Sequence, residues 1–229
     1  GWEARLGCRF DVGFSYQDPG TDTLAVTGVL ELLEREIDLV IAPPFYYGPS
    51  SYAVAGPERG TIDVDPDNFE RHVRDVLWGL LEIGFRNIFV IIHHQYENGI
   101  EMPEALAFKK AAKQLTFRFL EKTRGRGWWG SEDASKYYET LDTKDNPFNW
   151  IKVIPLMSPS VQAATGYDHA GLYETSLLMA LYPEAVDMSK FDAEGPWFTR
   201  TAAGANVDLG RRMVELILED LRNKLTGRD

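Results

Sequence analysis

The chain has 229 residues, 44% hydrophobic and 12% aromatic, enough apolar surface for one substantial core without disulfide support. Its formal net charge of −11 argues against nucleic acid and anionic membranes as partners, because both call for basic patches. The single cysteine, Cys8, excludes an internal disulfide and fits a reducing compartment. With no apolar run of spanning length and no leader pattern, the expectation is a cytoplasmic protein forming one domain over residues 1–229.

In chain order, Arg5–Phe14 alternates Leu6, Cys8, Phe10 and Val12 with polar neighbours and predicts a strand, in which Cys8 is a small buried hydrophobe. The turn Gln17–Gly20 leads to Thr21-Asp22-Thr23, after which Leu24, Val29, Leu32, Leu33 and Ile37 fall at helical spacing. Asp38–Ala42 predicts a short strand stopped by Pro43-Pro44, and the aromatic loop Phe45–Thr61 is long enough to suggest function. Asp65-Pro66 is a helix start, and Phe69, Val73, Val76, Leu77, Leu80 and Leu81 trace one face up to the stop at Gly84. Ile88–Ile92 is apolar throughout, as a strand buried on both faces would be. Met102–Lys122 predicts a second long helix. Glu121–Asn149 has no period, contains Trp128-Trp129, and reads as a lid or a subunit contact. Trp150–Met157 predicts a strand, and Gly171–Leu181 and Ala203–Leu225 predict helices. The alternation implies an α/β fold, with a mainly parallel central sheet and helices on both faces.

Directly after the strand Ile88–Ile92 come His93, His94, Gln95, Tyr96, Glu97 and Asn98. In open α/β sheets ligands sit beyond the carboxyl ends of the strands, so this stretch is either a polar turn or a metal or catalytic site. Two further polar clusters run from Asp11 to Asp22 and from Asp168-His169 to Glu174. Carboxylates beside imidazoles suit acid–base work and metal ligation. Each also has a plainer use: Asp22 or His169 as a helix cap, and His72 as a surface histidine within its helix.

Taken together the clusters resemble the creatininase (creatinine amidohydrolase) family of metal-dependent hydrolases. His169-Ala170-Gly171-Leu172-Tyr173-Glu174-Thr175-Ser176 is similar to the family's His-Ala-Gly-x-x-Glu-Thr-Ser. Gly84-Phe85-Arg86 leading into Tyr96-Glu97-Asn98 resembles its strand ending in Asn-Gly-His-Tyr-Glu-Asn, and Gly20-Thr21-Asp22-Thr23 resembles the end of its Gly-Thr-Asp signature. Pro44, Tyr47-Gly48 and Gly60-Thr61 match in order, so the resemblance covers nearly the whole chain.

The resemblance implies two divalent metals, Mn or Zn, bridged by Asp22. One metal would add Asp11 and Glu97. The family's two histidines for the other fall on Gly13 and Gln95, which leaves one or two metals per chain, with His93 or His94 available as a replacement ligand. By strand alternation His93, Gln95 and Glu97 share a side and His94 faces away. The resemblance further implies His169 as acid–base and Glu174 as a second catalytic residue. Tyr96, Asp168, Trp128 and Trp129 are the substrate-binding candidates, the last two as cover for the site together with Phe45–Tyr52. The implied function is hydrolytic opening of a small cyclic substrate, a cyclic amide or an oxidised cyclic polyol such as a keto-inositol, by water activated at the metal. The implied assembly is a homo-oligomer, hexameric in the family. The alternative is a non-catalytic homologue that binds a ligand or partner.

Overall fold

The computed structural model describes residues 21–45, 47–49, 62–94 and 96–227. The expected strand Arg5–Phe14 with Cys8 and Asp11, the position Gln95, and most of the loop after Phe45 lie outside these residues.

The fold is organised around β1 (Ile88–Ile92), which pairs in parallel with β2 (Ile151–Pro155), Ile88 opposite Ile151 and Ile92 opposite Pro155. Among the described residues the sheet has these two strands. The unbroken apolar sequence of β1 is explained by its two covered faces. Ile88, Val90 and Ile92 pack into one core with α2 (Pro66–Ile83) and α3 (Pro103–Arg124). Ile91, with Phe89 at the margin, packs into a second core built by α1 (Thr21–Glu34), α5 (Leu172–Leu181) and α6 (Val207–Thr226). The expectation of helices on both faces holds.

The helix ends follow their local chemistry. Asp65 Oδ1 accepts from the backbone N–H groups of Asp67 and Asn68 at 3.0 Å each, and Pro66 occupies the first turn, where a missing N–H costs nothing. Gly84 closes α2 at φ 117°, a left-handed conformation open to glycine. Of the face expected from spacing, Phe69, Val73, Leu77 and Leu81 are buried, while Val76 and Leu80 are half-buried at its margin. Beyond β2, Ser158 caps α4 (Pro159–Thr165), again with proline at its start. The close approach of α6 to α5 depends on Gly210: a Cβ there would lie 1.9 Å from the Ser176 carbonyl oxygen.

Several expectations are corrected. Asp38–Ala42 forms no ladder among the described residues, although Ile41 and Ala42 are buried in the core. Phe45 is a core residue, not site cover. It packs edge-on against Phe69 and Phe108 with ring centroids 5.9 and 5.2 Å apart. The aperiodic segment after α3 folds into short 3-10 turns. There Trp128 and Trp129 join Phe117, Tyr137 and Phe148 in an aromatic cluster against α3. His72 is exposed, as expected.

Candidate metal centre

Three elements converge beyond the carboxyl end of β1. The first turn of α1 supplies Asp22, the residues after Ile92 supply His93 and His94, and the first turn of α5 supplies Glu174. The chain leaves strand geometry after Ile92 and turns at His94. Alternation therefore stops at the residues where it would have separated the two histidines, and both meet Asp22. His94 Nδ1 lies 3.3 Å from Asp22 Oδ2, within hydrogen-bonding distance. His93 Nε2 lies 3.9 Å from Asp22 Oδ1 and 3.9 Å from Glu174 Oε1.

These distances divide the roles. The contact between His94 and Asp22 is a buried hydrogen bond that orients the carboxylate. His93 Nε2 is also buried but has no hydrogen-bond partner among the described residues. Its two carboxylate neighbours stand beyond hydrogen-bond range. The ligating atoms of Asp22, His93 and Glu174 all lie within 4.8 Å of one another. A buried imidazole nitrogen costs free energy when left unsatisfied, and a divalent cation held by these three donors would satisfy it. One imidazole with carboxylate oxygens is a donor set that Mn²⁺ and Zn²⁺ both accept. The residues fit the group.

The electrostatics agree. Burial drives the Asp22 carboxyl upward, but the His94 hydrogen bond and the neighbouring His93, His94 and His169 rings outweigh it and hold Asp22 below the usual carboxylate range. Burial pushes His93 below the ordinary imidazole value, with Asp22 and Glu97 only partly offsetting it. His169 moves down for the same first reason, against the pull of Asp22, Glu97 and Asp168. Near neutral pH the site thus holds an ionised carboxylate beside neutral rings with available lone pairs.

The α5 cluster is held by its own backbone. Asp168 Oδ2 accepts from Tyr173 N–H at 3.0 Å and Asp168 Oδ1 from Glu174 N–H at 3.2 Å. Asp168, not His169, therefore satisfies the open N-terminus of the helix. Gly171 makes room for this cap, since a Cβ there would lie 2.4 Å from both Asp168 Oδ2 and Thr201 Oγ1. Glu174 Oε2 accepts from Ala170 N–H at 2.5 Å, which leaves Oε1 turned toward His93. The His169 ring stands edge-to-face on Phe198, centroids 5.4 Å apart.

A cavity opens beside the cluster, lined by His93, Tyr96, Glu97, Gln162, Tyr167, Asp168, Tyr173 and Glu174 among others. Of the residues expected at the site, Asp22, His94, Tyr96, Glu97, Asp168, His169 and Glu174 all lie in this region. Asp11 and Gln95 lie outside the described residues, and Trp128 and Trp129 do not line the cavity. The Tyr96 hydroxyl is engaged away from it, donating to Glu101 Oε1 at 3.2 Å and accepting from Lys109 Nζ at 2.9 Å. Sequence reasoning passed over Gln162, Tyr167 and Tyr173. Gln162 lies on α4, a helix the sequence reading did not assign; the Ser158-Pro159 pair at its start is the signal that could have found it.

A family model described as creatinine amidohydrolase matches residues 19–223. The chain belongs to the creatinine amidohydrolase family. The family consists of metal-dependent hydrolases, in keeping with the donor cluster. Creatinine amidohydrolase of Pseudomonas putida is 25% identical to this chain over 174 residues, covering 74% of the chain; the match spans 60% of that relative's length. Among solved structures, a creatininase with Mn superposes with a TM-score of 0.68 at 17% identity, covering 99% of this chain and 91% of that one. A mutant creatininase complexed with creatine gives a TM-score of 0.64 at 18% identity, with 99% and 92% covered. No helix among the described residues is long and apolar enough to cross a membrane.

Proposed function

We propose that this creatinine amidohydrolase family member is a metal-dependent hydrolase that opens a small cyclic substrate, a cyclic amide or an oxidised cyclic polyol such as a keto-inositol. The observation that carries the reading is the donor set Asp22, His93 and Glu174, with the buried, unpartnered His93 Nε2 at its centre. We propose these three as the residues that hold one divalent cation, with Glu97 at the edge of the same cavity. The manganese in one related structure and the creatine in another support a divalent cation and a small polar substrate.

A divalent cation in this position supplies acidified water and stabilises oxyanion charge. The chain's own groups do the rest. His94 fixes the orientation of the Asp22 carboxylate. The Asp168 cap and the Ala170 N–H fix Glu174 from both ends. His169, kept neutral by burial near pH 7, accepts a proton as water adds to the ring carbon and returns it to the leaving ring atom. Tyr167 and Tyr173 wall the cavity and limit the bulk water that reaches the reacting centre.

The test is a metal count by mass spectrometry on protein dialysed against Mn²⁺, combined with turnover of a panel of cyclic amides and ketone-bearing cyclitols. About one Mn²⁺ per chain is expected, lost in Asp22→Ala. A wild-type protein that retains no divalent metal would overturn the reading.

A further inference from the structure

The turn that follows the histidines carries Glu97 into the cavity, and its backbone is irregular. It leaves Tyr96 at φ −121° and ψ 40°, passes through Asn98 at φ 48°, and makes a single 3-10 turn to Gly99. A non-glycine residue in the left-handed region has to be held there by its surroundings. One buried side chain on another element does this. Gln162 of α4 is 7% exposed. Its Nε2 donates to the Tyr96 carbonyl at 3.1 Å and to the Met157 carbonyl at 3.0 Å, and its Oε1 accepts from the Asn98 N–H at 2.6 Å. The carboxamide is thus used at both ends. Exchanging its oxygen and nitrogen would set an N–H against an N–H and an oxygen against two carbonyls, so the network admits one orientation.

We infer that Gln162 is a positioning residue of the metal centre: its carboxamide clamps the backbone on both sides of Glu97 and thereby fixes that residue in the cavity lined by His93 and Glu174. The inference rests on the proposal that the centre binds a divalent cation. The clamp acts on the residues immediately flanking Glu97, and the Met157 carbonyl just after β2 orients it. The turn that follows β1 is thereby registered on the segment that follows β2. A helix residue whose only task was to stabilise α4 would have no need to hold Asn98 in a left-handed conformation on a separate turn.

Two variants test this. Gln162→Leu removes all three hydrogen bonds. Gln162→Glu keeps the shape and the acceptor for Asn98 but turns a carboxylate toward the Tyr96 and Met157 carbonyls. Mn²⁺ affinity is measured by calorimetric titration and by the electron paramagnetic resonance spectrum of the bound ion, well below each variant's unfolding midpoint. Both variants are expected to bind Mn²⁺ about 10–100-fold more weakly than wild type, the usual effect of losing an outer-shell partner, with an altered spectrum. A merely structural glutamine would lower the midpoint and leave both readouts of the folded protein unchanged. Wild-type binding with equal affinity in both variants would overturn the role of Gln162 and leave the metal centre standing; a wild-type protein that binds no Mn²⁺ would overturn the centre itself. If neither variant folds, amide hydrogen exchange on the wild type decides. The Asn98 amide is expected to exchange far more slowly than its exposed position would allow, and exchange at the free-peptide rate would refute the clamp.

Discussion

Replacing Asp168 with alanine separates backbone support from contact with a ligand. The carboxylate satisfies two open N–H groups in the first turn of α5, those of Tyr173 and Glu174, at 3.0 and 3.2 Å. Loss of a capping side chain costs about 0.5–2 kcal/mol, and loss of a negative charge at a helix N-terminus about 0.3–1 kcal/mol more. For a chain of this length each kcal/mol moves the midpoint by about 2–4 °C. Asp168→Ala should therefore lower the thermal midpoint by about 2–12 °C. Asp168→Asn, which keeps one acceptor oxygen, should lose part of that. Circular dichroism melts on the metal-free proteins measure it. Because the lost bonds include the one on the Glu174 N–H, Mn²⁺ affinity should fall in the same order, alanine below asparagine below wild type. An alanine variant with a wild-type midpoint would show that the cap contributes nothing, and the account of how α5 presents Glu174 would fail.

Three other outcomes follow from the geometry. The pKa values of His93 and His169 lie below the ordinary 6.5, so above that pH both rings are neutral, folded or unfolded, and contribute nothing. Below it the unfolded chain takes up protons that the folded chain refuses, and metal-free stability should decline as pH falls from 6.5. Urea titrations on either side of that value check this, and a flat profile would refute it. Gly210→Ala drives a Cβ to within 1.9 Å of the Ser176 carbonyl oxygen and 2.6 Å of its carbon. Since the obstacle is backbone, the cost should reach the upper part of the about 1–3 kcal/mol seen for overpacking; an unshifted midpoint would contradict the close α5–α6 packing. His169→Ala should lower turnover by about 10²–10⁴-fold while Mn²⁺ content is retained. Near-normal turnover would remove His169 from the chemistry.

Much of this was legible in the sequence, where local patterns carry information. Asp65, Pro66 and Gly84 bound α2 as expected because caps and stops act through adjacent backbone. The apolar run Ile88–Ile92 announced a strand covered on both faces, and the two cores on either side of β1 bear it out. The motif around His169 and Glu174 lies where the structure brings Asp22, His93 and Glu174 together. What stayed hidden depended on where the chain bends. Alternation assigned His93 and His94 to opposite sides, but the turn at His94 ended the strand first, so the ring facing the carboxylate pair is that of His93. Phe45 and Trp128 had the composition of a site cover. Only tertiary packing shows that Phe45 fills the core and that Trp128 packs on α3. Asp168 belonged to a ligand-like motif, yet both its oxygens accept from the helix backbone. Composition does not distinguish those uses.

Asp22, His93 and Glu174 come from widely separated parts of the chain, one before the sheet's first described strand, one directly after it, and one beyond the second. A divalent cation held by these three residues would therefore act as a cross-link that exists only in the finished fold. The unfolded chain brings the three donors together nowhere, so the free energy of binding such an ion would be added to the native state. Metal supply would then lengthen the time the folded form survives heat or proteolysis, whether or not a substrate is present.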